Sequence, residues 1–371
     1  MSYGDYPDLS KVKKILVIKL RNFGDVVLTT PVFRTLKATL PKASIDALIY
    51  QEGLPLLEKA PFINQCFVYD KAIKKGSFPR RLGYEYSLIR AIRKERYDLV
   101  FNLTEGDRGA FVSLFSGAKF RVGYDTGPRR KTRIYSHLAK LCGQNRHTVE
   151  KNLDALRRVG IFPEKEETEL FFPLEKSALL SMKKKLGHNK PFLLIHPTSR
   201  WRFKCWPMAK VRSLIERFLE EGTNVVLVSG PDPVELDMTE VITNGLQSPH
   251  FQNFSGQVTL EELGALIHLA RGTLCMDSVS FHIASALKAC VAAIFGPTSP
   301  ITWGSWQNPN AVILRNQFPC MPCYRDGCGG SKISDCIVKL QVATVYEALS
   351  RFLHKDPQGD PTGLKSSLRC V

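Results

Sequence analysis

The sequence predicts an α/β protein built from two doubly wound parallel sheets, one in each half of the chain. Three observations favour this fold class. Short apolar runs alternate with helix-like segments in both halves, which is the order of strands and helices in a parallel sheet. A proline and a run of charges interrupt that order around Phe162–Glu169, after which it starts again. The length of 371 residues fits two domains of roughly 150–170 residues each.

The first half is predicted to contain five strands with helices between them. The strands are Lys14–Lys19, Ser44–Ile49, Gln65–Val68, Leu99–Asn102 and Phe120–Val122. The helices are Thr30–Ala38, Leu54–Lys59, Tyr84–Glu95, Gly109–Ser116 and Val149–Val159. This alternation predicts a Rossmann-like domain over residues 1–168.

The second half repeats the pattern. Its predicted strands are Phe192–His196, Asn224–Ser229, Gly272–Met276 and Val291–Phe295. Its predicted helices are Ala209–Glu221, Glu235–Thr243, Leu260–Ala270, His282–Leu287 and, last, Val342–His354. We therefore expect a second Rossmann-like domain over residues 169–341, a C-terminal helix within 342–355, and a disordered polar tail over 356–371.

Two Rossmann-like halves followed by a C-terminal helix are typical of the two-lobed glycosyltransferase architecture called GT-B. A dinucleotide oxidoreductase and a periplasmic-type binding protein share parts of this pattern. No G-x-G-x-x-G follows the first strand, which weighs against the oxidoreductase. The polar segment Met1–Ser10 lacks the features of a secretory signal, which weighs against the binding protein and predicts a cytoplasmic location.

Charge and hydropathy limit the classes of partner. The chain carries 52 Lys+Arg against 35 Asp+Glu, a formal net charge of +17, so it should attract polyanions. No RNA-binding motif or nucleic-acid zinc finger accompanies the basic clusters, so we expect no nucleic-acid partner and favour peripheral association with an anionic membrane. No apolar run reaches the length of about 18 residues that a spanning helix needs.

The first candidate site is a carboxylate in the loop after the first strand, within Asn22-Phe23-Gly24-Asp25. Gly24 would permit a tight turn, and Asp25 would then cap the helix that follows. As a cap, Asp25 needs no function, since an Asp N-cap contributes about 1 kcal/mol to stability. As a catalytic group, a carboxylate at the end of a first strand can act as general base on a sugar hydroxyl. The residues alone leave both interpretations open.

The second candidate site combines two strand-end loops of the second half. The first loop contains Thr198, Ser199, Arg200, Arg202 and Lys204. Clustered cations are costly unless they meet an anion, and a diphosphate would be such an anion, although a solvated loop is the alternative. The second loop contains Asp277, Ser278, Val279, Ser280 and His282. Backbone N–H groups at the start of its helix favour phosphate oxygens, whereas His282 fits a structural role equally well.

Two further features are weaker candidates. Asp232 lies in a Gly-Pro-Asp-Pro turn, a kind of turn that is common without function. Four cysteines, Cys320, Cys323, Cys328 and Cys336, fall within 17 residues and include a C-x-x-C half-site. A structural zinc ion is therefore one hypothesis. Reduced thiols or an occasional disulfide are the alternative, because the remaining spacings match no standard zinc module.

Several segments, taken together and in order, resemble a known family. They are Ile15–Ile18 with Gly24–Pro31, His196-Pro197 with Lys204-x-Trp206-Pro207, Phe254–Gly256 with Leu260-x-Glu262-Leu263, Met276–Ser278 with His282, and Phe295–Thr298. The set is similar to that of glycosyltransferase family 9, the ADP-heptose:lipopolysaccharide heptosyltransferases. No single segment would suffice, but the set covers residues 14 to about 340.

The resemblance implies a GT-B fold that binds the acceptor in its N-terminal domain and the donor in its C-terminal domain. It implies transfer of L-glycero-D-manno-heptose, with inversion, from ADP-heptose to the inner core of lipopolysaccharide, with no cofactor required. The partners implied are ADP-heptose, the inner-core glycolipid and the anionic inner-membrane surface. By position, Asp25 resembles the catalytic base and Lys204 the lysine that meets the donor phosphates. Asp277, Ser278 and His282 resemble the donor-binding loop.

One position departs from the family pattern. Many members have Gly two residues after the loop aspartate, where this chain has Val279. The Asp277-Ser278-Val279 version and the Cys-rich loop resemble the branch called lipopolysaccharide heptosyltransferase III, which adds a side-branch heptose to the second heptose. Val279 lacks the conformational freedom of glycine, so a different backbone facing the phosphates is expected. A non-catalytic GT-B-like protein that binds a nucleotide or an anionic glycan is the alternative function.

Overall fold

The structure is a computed structural model that describes residues 6–127, 133–140 and 145–354. The chain divides into two compact units, Met1–Pro173 and Leu174–Val371. Among the described residues, each unit contains one six-stranded sheet in which every neighbouring pair of strands is parallel. The predicted α/β class with two parallel sheets is confirmed. The predicted polar tail over 356–371 lies outside the described residues.

In unit 1 the sheet consists of β1 Lys14–Lys19, β2 Ser44–Tyr50, β3 Gln65–Tyr69, β4 Leu99–Asn102, β5 Phe120–Asp125 and β6 His137–Lys140. The strand order is β3-β2-β1-β4-β5-β6. The five predicted strands are therefore confirmed within three residues at each end, and β6 is an addition. The apolar run of β1 is fully buried, as expected for a central strand covered by helices on both faces.

The helices of unit 1 are α1 Phe23–Val27, α2 Thr30–Thr39, α3 Phe78–Lys94, α4 Asp107–Phe115 and α5 Thr148–Arg157. The prediction of an α-helix over Leu54–Lys59 is wrong. That region is a 3-10 helix over Gln51–Leu56 with Pro55 inside it. Proline has no backbone N–H and its ring clashes with the carbonyl four residues earlier, so an α-helix does not continue through it.

In unit 2 the sheet consists of β7 Phe192–His196, β8 Asn224–Leu227, β9 Phe251–Asn253, β10 Gly272–Met276, β11 Val291–Ile294 and β12 Ala311–Leu314. The strand order is β12-β11-β10-β7-β8-β9. The helices are α6 Lys176–Leu186, α7 Met208–Glu220, α8 Pro233–Thr243, α9 Leu260–Leu269, α10 Val279–Ala286, α11 Pro300–Trp303, α12 Asp335–Val338 and α13 Val342–Leu353. Four strands were predicted, and β9 and β12 are additions.

The C-terminal helix α13 belongs to the core of unit 2. Its buried side chains, including Leu349 and Phe352, pack with Trp206 and Phe218 in one apolar cluster. The approach is close, because a Cβ on Gly272 would lie 2.7 Å from Phe352 Cδ2. Glycine at the first position of β10 therefore allows α13 to cover the sheet. Within the described residues, no helix is long and apolar enough to cross a membrane.

The strand orders fix where a ligand can bind in each unit. In unit 1 the first strand, β1, lies between β2 and β4, and in unit 2 the first strand, β7, lies between β8 and β10. At each switch point the connections that follow the two adjacent strands run in opposite directions. A crevice therefore opens between the loops after β1 and β4 in unit 1, and between the loops after β7 and β10 in unit 2. These two switch points are the expected locations of ligand sites.

Candidate active site

Asp25 lies at the switch point of unit 1, six residues after the end of β1 and in the first turn of the next helix. The helix α1 begins at Phe23 and its N-cap residue is Asn22, whose backbone is extended. Asp25 is thus the third residue of the helix, and the prediction that it caps the helix is wrong. Gly24 lies inside the same first turn. A carboxylate in the first turn of a helix interacts favourably with the helix dipole. The Asp25 side chain remains 18% exposed.

Lys19, the last residue of β1, places a buried cation behind Asp25. Its Nζ lies 4.0 Å from Asp25 Oδ1, and only 6% of its side chain is exposed. The same ammonium donates to Leu103 O and to Asn152 Oδ1, both at 3.1 Å. Burial lowers the pKa of Lys19, and the negative charge of Asp25 acts in the opposite direction.

The hydrogen bonds around Lys19 join the loops that follow β1 and β4. Asn152, on α5, also donates through Nδ2 to Leu28 O at 2.9 Å. Thr104 Oγ1 accepts from Leu20 N at 2.8 Å, across the same switch point. Three chain segments are therefore fixed around the Asp25 loop. We name Lys19, Asp25 and Asn152 the Asp25 cluster.

A cleft of about 300 Å³ opens at the carboxyl end of the same sheet. It is lined by Leu20, Arg21, Tyr50, Thr104, Gly106, Asp107 and Arg108. The lining contains two guanidinium groups, of which Arg108 bonds Glu85 at 3.1 Å and Arg21 lies 3.8 Å from Glu105. Its wall carries guanidinium groups and the carboxylate of Asp107, so it suits a polar ligand.

In unit 2 the predicted residues Lys204 and Asp277 are in direct contact. Lys204 Nζ lies 2.6 Å from Asp277 Oδ2, and the side chains are 17% and 6% exposed. The same carboxylate oxygen accepts from Thr298 Oγ1 at 2.7 Å. These residues follow β7, β10 and β11, so the contact lies at the switch point of this sheet. We name Lys204, Asp277 and Thr298 the Asp277 cluster.

Beside this cluster, a second set of buried polar contacts joins the loops after β7 and β8. Thr198 Oγ1 donates to Glu235 Oε2 at 2.5 Å, and Gly230 N donates to the same oxygen at 3.1 Å. His196 Nδ1 is hydrogen-bonded to Ser280 Oγ. Burial lowers the pKa of His196 to about 4, with Glu235 opposing that shift, so its ring is neutral at pH 7.

The remaining predicted residues of the donor loops are placed as follows. Ser278 is the N-cap of α10, and the N–H groups of Val279 and Ser280 belong to its first turn. Val279 has an ordinary helical conformation, without the positive φ that would require glycine. The helix therefore begins three residues before the predicted start at His282, whose ring is buried 5.8 Å from that of Phe281.

The loop after β7 presents both polar and apolar groups. Ser199 is buried, whereas Arg200 is exposed with its guanidinium 5.4 Å from the Trp201 ring. Asp232 is the N-cap of α8 and accepts from Val234 N at 2.9 Å, so its carboxylate has a structural task. Its predicted role in donor binding stays a prediction.

The four cysteines of the C-terminal loop are thiols. Burial, together with the neighbouring Cys328 and Cys323, raises the pKa of Cys336 to about 11. Within residues 6–127, 133–140 and 145–354, no group of three or more His, Cys, Asp or Glu side chains is placed to coordinate a metal ion. The hypothesis of a structural zinc ion at these four cysteines stays a prediction.

Four residues of the two clusters and the contacts beside them were not identified from the sequence, namely Lys19, Asn152, Glu235 and Thr298. The sequence offered a signal for two of them. Lys19 is a charged residue directly after the apolar run Ile15–Ile18, and Thr298 follows the Gly-Pro pair at the end of a predicted strand. Asn152 and Glu235 are single polar residues on helices, and only the folded arrangement connects them to the loops.

The chain is similar to known glycosyltransferases over most of its length. The sequence profile described as glycosyltransferase family 9 (heptosyltransferase) matches residues 85–333. Lipopolysaccharide heptosyltransferase 3 of Escherichia coli is 34% identical over 309 residues, which are 82% of this chain and 89% of that protein.

Two solved structures agree with the architecture. A glycosyltransferase of family 9 from Veillonella parvula aligns with a TM-score of 0.79 at 20% identity, covering 94% of this chain and 99% of that one. The ADP-heptose LPS heptosyltransferase II of E. coli aligns with a TM-score of 0.74 at 22% identity, covering 92% and 98%. The predicted GT-B fold is confirmed.

Proposed function

The chain belongs to glycosyltransferase family 9, and from that premise we propose that it transfers L-glycero-D-manno-heptose from ADP-heptose to the inner core of lipopolysaccharide. The similarity to a protein named lipopolysaccharide heptosyltransferase 3 supports the third, side-branch heptose as the residue that is added. The donor follows from the name of the solved relative, an ADP-heptose LPS heptosyltransferase.

One observation carries the proposal: each sheet has a cluster of opposite charges at its switch point. The cluster of unit 1 contains a partly exposed carboxylate with a cation behind it. The cluster of unit 2 contains an ammonium beside a helix N-terminus. A base and a site for phosphate oxygens are the two groups that glycosyl transfer from a nucleotide diphosphate sugar needs.

The proposed reaction is a single displacement. Asp25 removes the proton from the acceptor hydroxyl while the hydroxyl oxygen attacks the anomeric carbon of the heptose. The bond between that carbon and the diphosphate oxygen breaks, and its electron pair leaves with ADP. The configuration inverts because attack and departure occur on opposite faces, and the proton ends on the Asp25 carboxylate.

The leaving diphosphate gains negative charge as its bond breaks, and unit 2 provides groups that counter that charge. Lys204 and Arg200 supply cations, and the first N–H groups of α10 supply hydrogen-bond donors. Because these groups can do the work that a divalent cation does in other glycosyltransferases, we propose that no metal ion is required.

The cleft with Arg21 and Arg108 is the proposed acceptor site, since two guanidinium groups suit a phosphorylated sugar core. The acceptor is a glycolipid, so we further propose that the protein works at the anionic cytoplasmic surface of the inner membrane. Its net charge of +17 favours such a surface. A non-catalytic binding role is disfavoured by the similarity to enzymes over 82% of the chain.

The proposal is tested with purified acceptors that end at the first or at the second heptose, each incubated with ADP-heptose and analysed by mass spectrometry. We expect a gain of one heptose only on the acceptor that carries the second heptose. Asp25→Ala should abolish the gain while leaving ADP binding intact in calorimetry, and the exposed Glu58→Ala should behave like the wild type. Loss of ADP binding in Asp25→Ala, or turnover in that variant, would contradict the role of the base.

A further inference from the structure

A surface of unit 1 outside the candidate site exposes six large apolar side chains. Three lie on α3 and three on α4: Phe78, Leu82, Tyr86, Phe111, Leu114 and Phe115. Between 40% and 72% of each residue is exposed. We call this set the apolar face. Contiguous exposed apolar patches on globular proteins mark interaction sites, whereas single exposed apolar residues are common and need no explanation.

The two rows of side chains lie on one surface. Residues four apart point to the same side of a helix, so Phe78, Leu82 and Tyr86 form a stripe along α3. Phe111 and Phe115 have the same spacing on α4. The stripes are therefore regular features of two amphipathic helices.

Contacts along both helices place the stripes next to each other. Arg108 Nε, in the first turn of α4, donates at 3.1 Å to Glu85 Oε1 in the middle of α3. A Cβ on Gly117, just after α4, would lie 4.0 Å from Arg93 Cγ, near the end of α3. Glu85 follows Leu82 by three residues and Arg108 precedes Phe111 by three, so both stripes border the seam between the helices.

The inner sides of the same helices are already packed. Leu88 and Ile92 of α3 and Val112 of α4 are buried in one apolar cluster with strand residues such as Val100. The apolar face is thus an additional surface and not part of the core of unit 1. Covering it would remove aromatic and aliphatic area from water without disturbing that core.

Six exposed cations lie on α3 or in the segment just before it, in the same part of the chain as the α3 stripe. Lys74, Lys75, Arg80, Arg81, Arg90 and Arg93 are all exposed, and we call them the basic rim. Among the described residues, no carboxylate lies within ion-pair distance of these six side chains. The single acidic residue of α3, Glu85, is bonded to Arg108. The surface is therefore strongly positive as well as apolar.

We propose that the apolar face and the basic rim together dock unit 1 onto an anionic lipid bilayer, with α3 and α4 lying in the interface. Phe, Tyr and Leu side chains insert at the boundary between headgroups and acyl chains, while Lys and Arg are attracted by anionic headgroups. A protein partner would have to present a matching acidic surface around its own apolar patch. A bilayer that contains anionic lipid offers both properties over its whole area.

The apolar face lies next to the cleft proposed for the acceptor, and the role of docking inferred from this position rests on the proposed function. Arg108 contacts Glu85 at the seam and also lines the cleft proposed for the acceptor. The cleft therefore borders the surface that would lie on the bilayer. A glycolipid could keep its acyl chains in the membrane while its sugar core enters the cleft.

The proposal is tested by co-sedimentation of the full chain with vesicles of phosphatidylcholine, with or without about 40 mol% phosphatidylglycerol. We expect binding to the anionic vesicles to exceed binding to the neutral ones about tenfold and to weaken in high salt. The triple variant Phe78→Ser/Leu82→Ser/Phe115→Ser should bind the anionic vesicles about tenfold more weakly. Arg80→Glu/Arg81→Glu/Arg90→Glu should show a similar loss.

A matched control replaces exposed apolar residues of unit 2. Leu180, Val241 and Ile333 are exposed to a similar degree, so Leu180→Ser/Val241→Ser/Ile333→Ser should bind vesicles like the wild type. Circular dichroism and thermal unfolding establish that each variant is folded. Equal binding of the wild type to neutral and anionic vesicles, or unaltered binding of the Phe78 triple variant, would overturn the proposal.

Two further readouts separate the alternatives. If sedimentation velocity shows a wild-type dimer that the Phe78 triple variant dissociates, the face joins two copies of the chain and the membrane proposal fails. The vesicles contain neither donor nor acceptor, so their binding does not depend on the proposed reaction. With a deacylated, soluble acceptor the Phe78 triple variant should keep wild-type turnover, whereas an acceptor embedded in vesicles should show a raised KM.

Discussion

Lys204 Nζ lies 2.6 Å from Asp277 Oδ2, and that oxygen also accepts from Thr298 Oγ1 at 2.7 Å. The two charged residues come from loops that are 73 residues apart in sequence but follow adjacent strands, β7 and β10. The ion pair therefore fixes the cation at the N-terminus of α10 before any ligand binds. Because the Lys204 side chain is already held in place, binding a diphosphate there costs little free energy for ordering it.

Removing Lys204 should destabilise unit 2. In Lys204→Met the Asp277 carboxylate, 6% exposed, would lose its cation, and we expect a loss of roughly 3 kcal/mol in the free energy of unfolding. The double variant Lys204→Met/Asp277→Asn removes both charges and should recover most of that loss. Urea denaturation of the wild type, the two single variants and the double variant measures the coupling. If the losses of unfolding free energy in the two single variants add up to the loss in the double variant, the ion pair contributes nothing to stability.

The chain offers an exposed ion pair as a control for this cycle. Lys332 Nζ lies 2.7 Å from Asp326 Oδ2, but the two side chains are 61% and 54% exposed. The same double-mutant cycle should give a coupling of about 0.5 kcal/mol or less there. Lys204→Met should also lose heptose transfer, because the cation proposed to meet the donor phosphates is absent. The double variant Lys204→Met/Asp277→Asn should recover stability but not transfer.

Lys19 is expected to position Asp25 and not to contact substrate. Lys19→Met would remove the ammonium that lies 4.0 Å from Asp25 and that joins Leu103 O to Asn152 Oδ1. We expect kcat to fall about tenfold, since a catalytic group displaced by a fraction of an ångström loses activity on that scale. The KM for the donor should remain unchanged because donor binding is assigned to unit 2.

Two variants separate positioning from general destabilisation. Asn152→Leu removes a neutral partner of Lys19 and should lower kcat in the same direction, while the exposed Lys13→Met should leave kinetics and stability unaltered. Steady-state kinetics at saturating acceptor provides the test. A rise in donor KM with constant kcat in Lys19→Met would place Lys19 in donor binding instead.

His196 should make the stability of unit 2 depend on pH. Burial lowers its pKa in the folded protein to about 4, below its ordinary value of about 6.5 in the unfolded chain. Between these values the unfolded chain binds more protons, so stability should fall as the pH decreases, by about 2 kcal/mol between pH 7.5 and pH 4.5. In His196→Asn this part of the pH dependence should disappear. Denaturation curves at several pH values test this, and identical pH slopes for both proteins would refute it.

Much of the fold was predictable because its central strands are buried on both faces. β1, β4, β7 and β10 were each predicted with correct ends, since continuous apolar runs in a parallel sheet leave a clear signal. The strands β6, β9 and β12 lie at the edges or near them, are only three or four residues long, and include partly exposed residues. β6 and β9 contain no apolar run longer than two residues, so they have no comparable signal, whereas β12 is the apolar run Ala311–Leu314 and was overlooked although its signal was comparable.

The site was predictable to the extent that its residues follow central strands. Asp25, Lys204 and Asp277 were selected as candidates because each follows the carboxyl end of a strand, in or just before the first turn of a helix or in the loop that leads to it. The contact between Lys204 and Asp277 could not be predicted, because only the strand order brings their loops together. Glu235 shows the opposite case: Asp232, three residues earlier, was selected instead, but its carboxylate caps α8 while Glu235 reaches Thr198.

Heptose transfer should not require a divalent cation. Lys204, Arg200 and the first N–H groups of α10 supply the positive potential that a bound metal ion would otherwise provide to the departing diphosphate. Activity after treatment with excess EDTA should therefore stay within about twofold of the untreated enzyme, and added Mg²⁺ should not rescue Lys204→Met. A control transferase known to need Mg²⁺ verifies that chelation is complete. If EDTA abolished transfer and Mg²⁺ restored it, the diphosphate would be bound by a metal ion and the role assigned to Lys204 would be wrong.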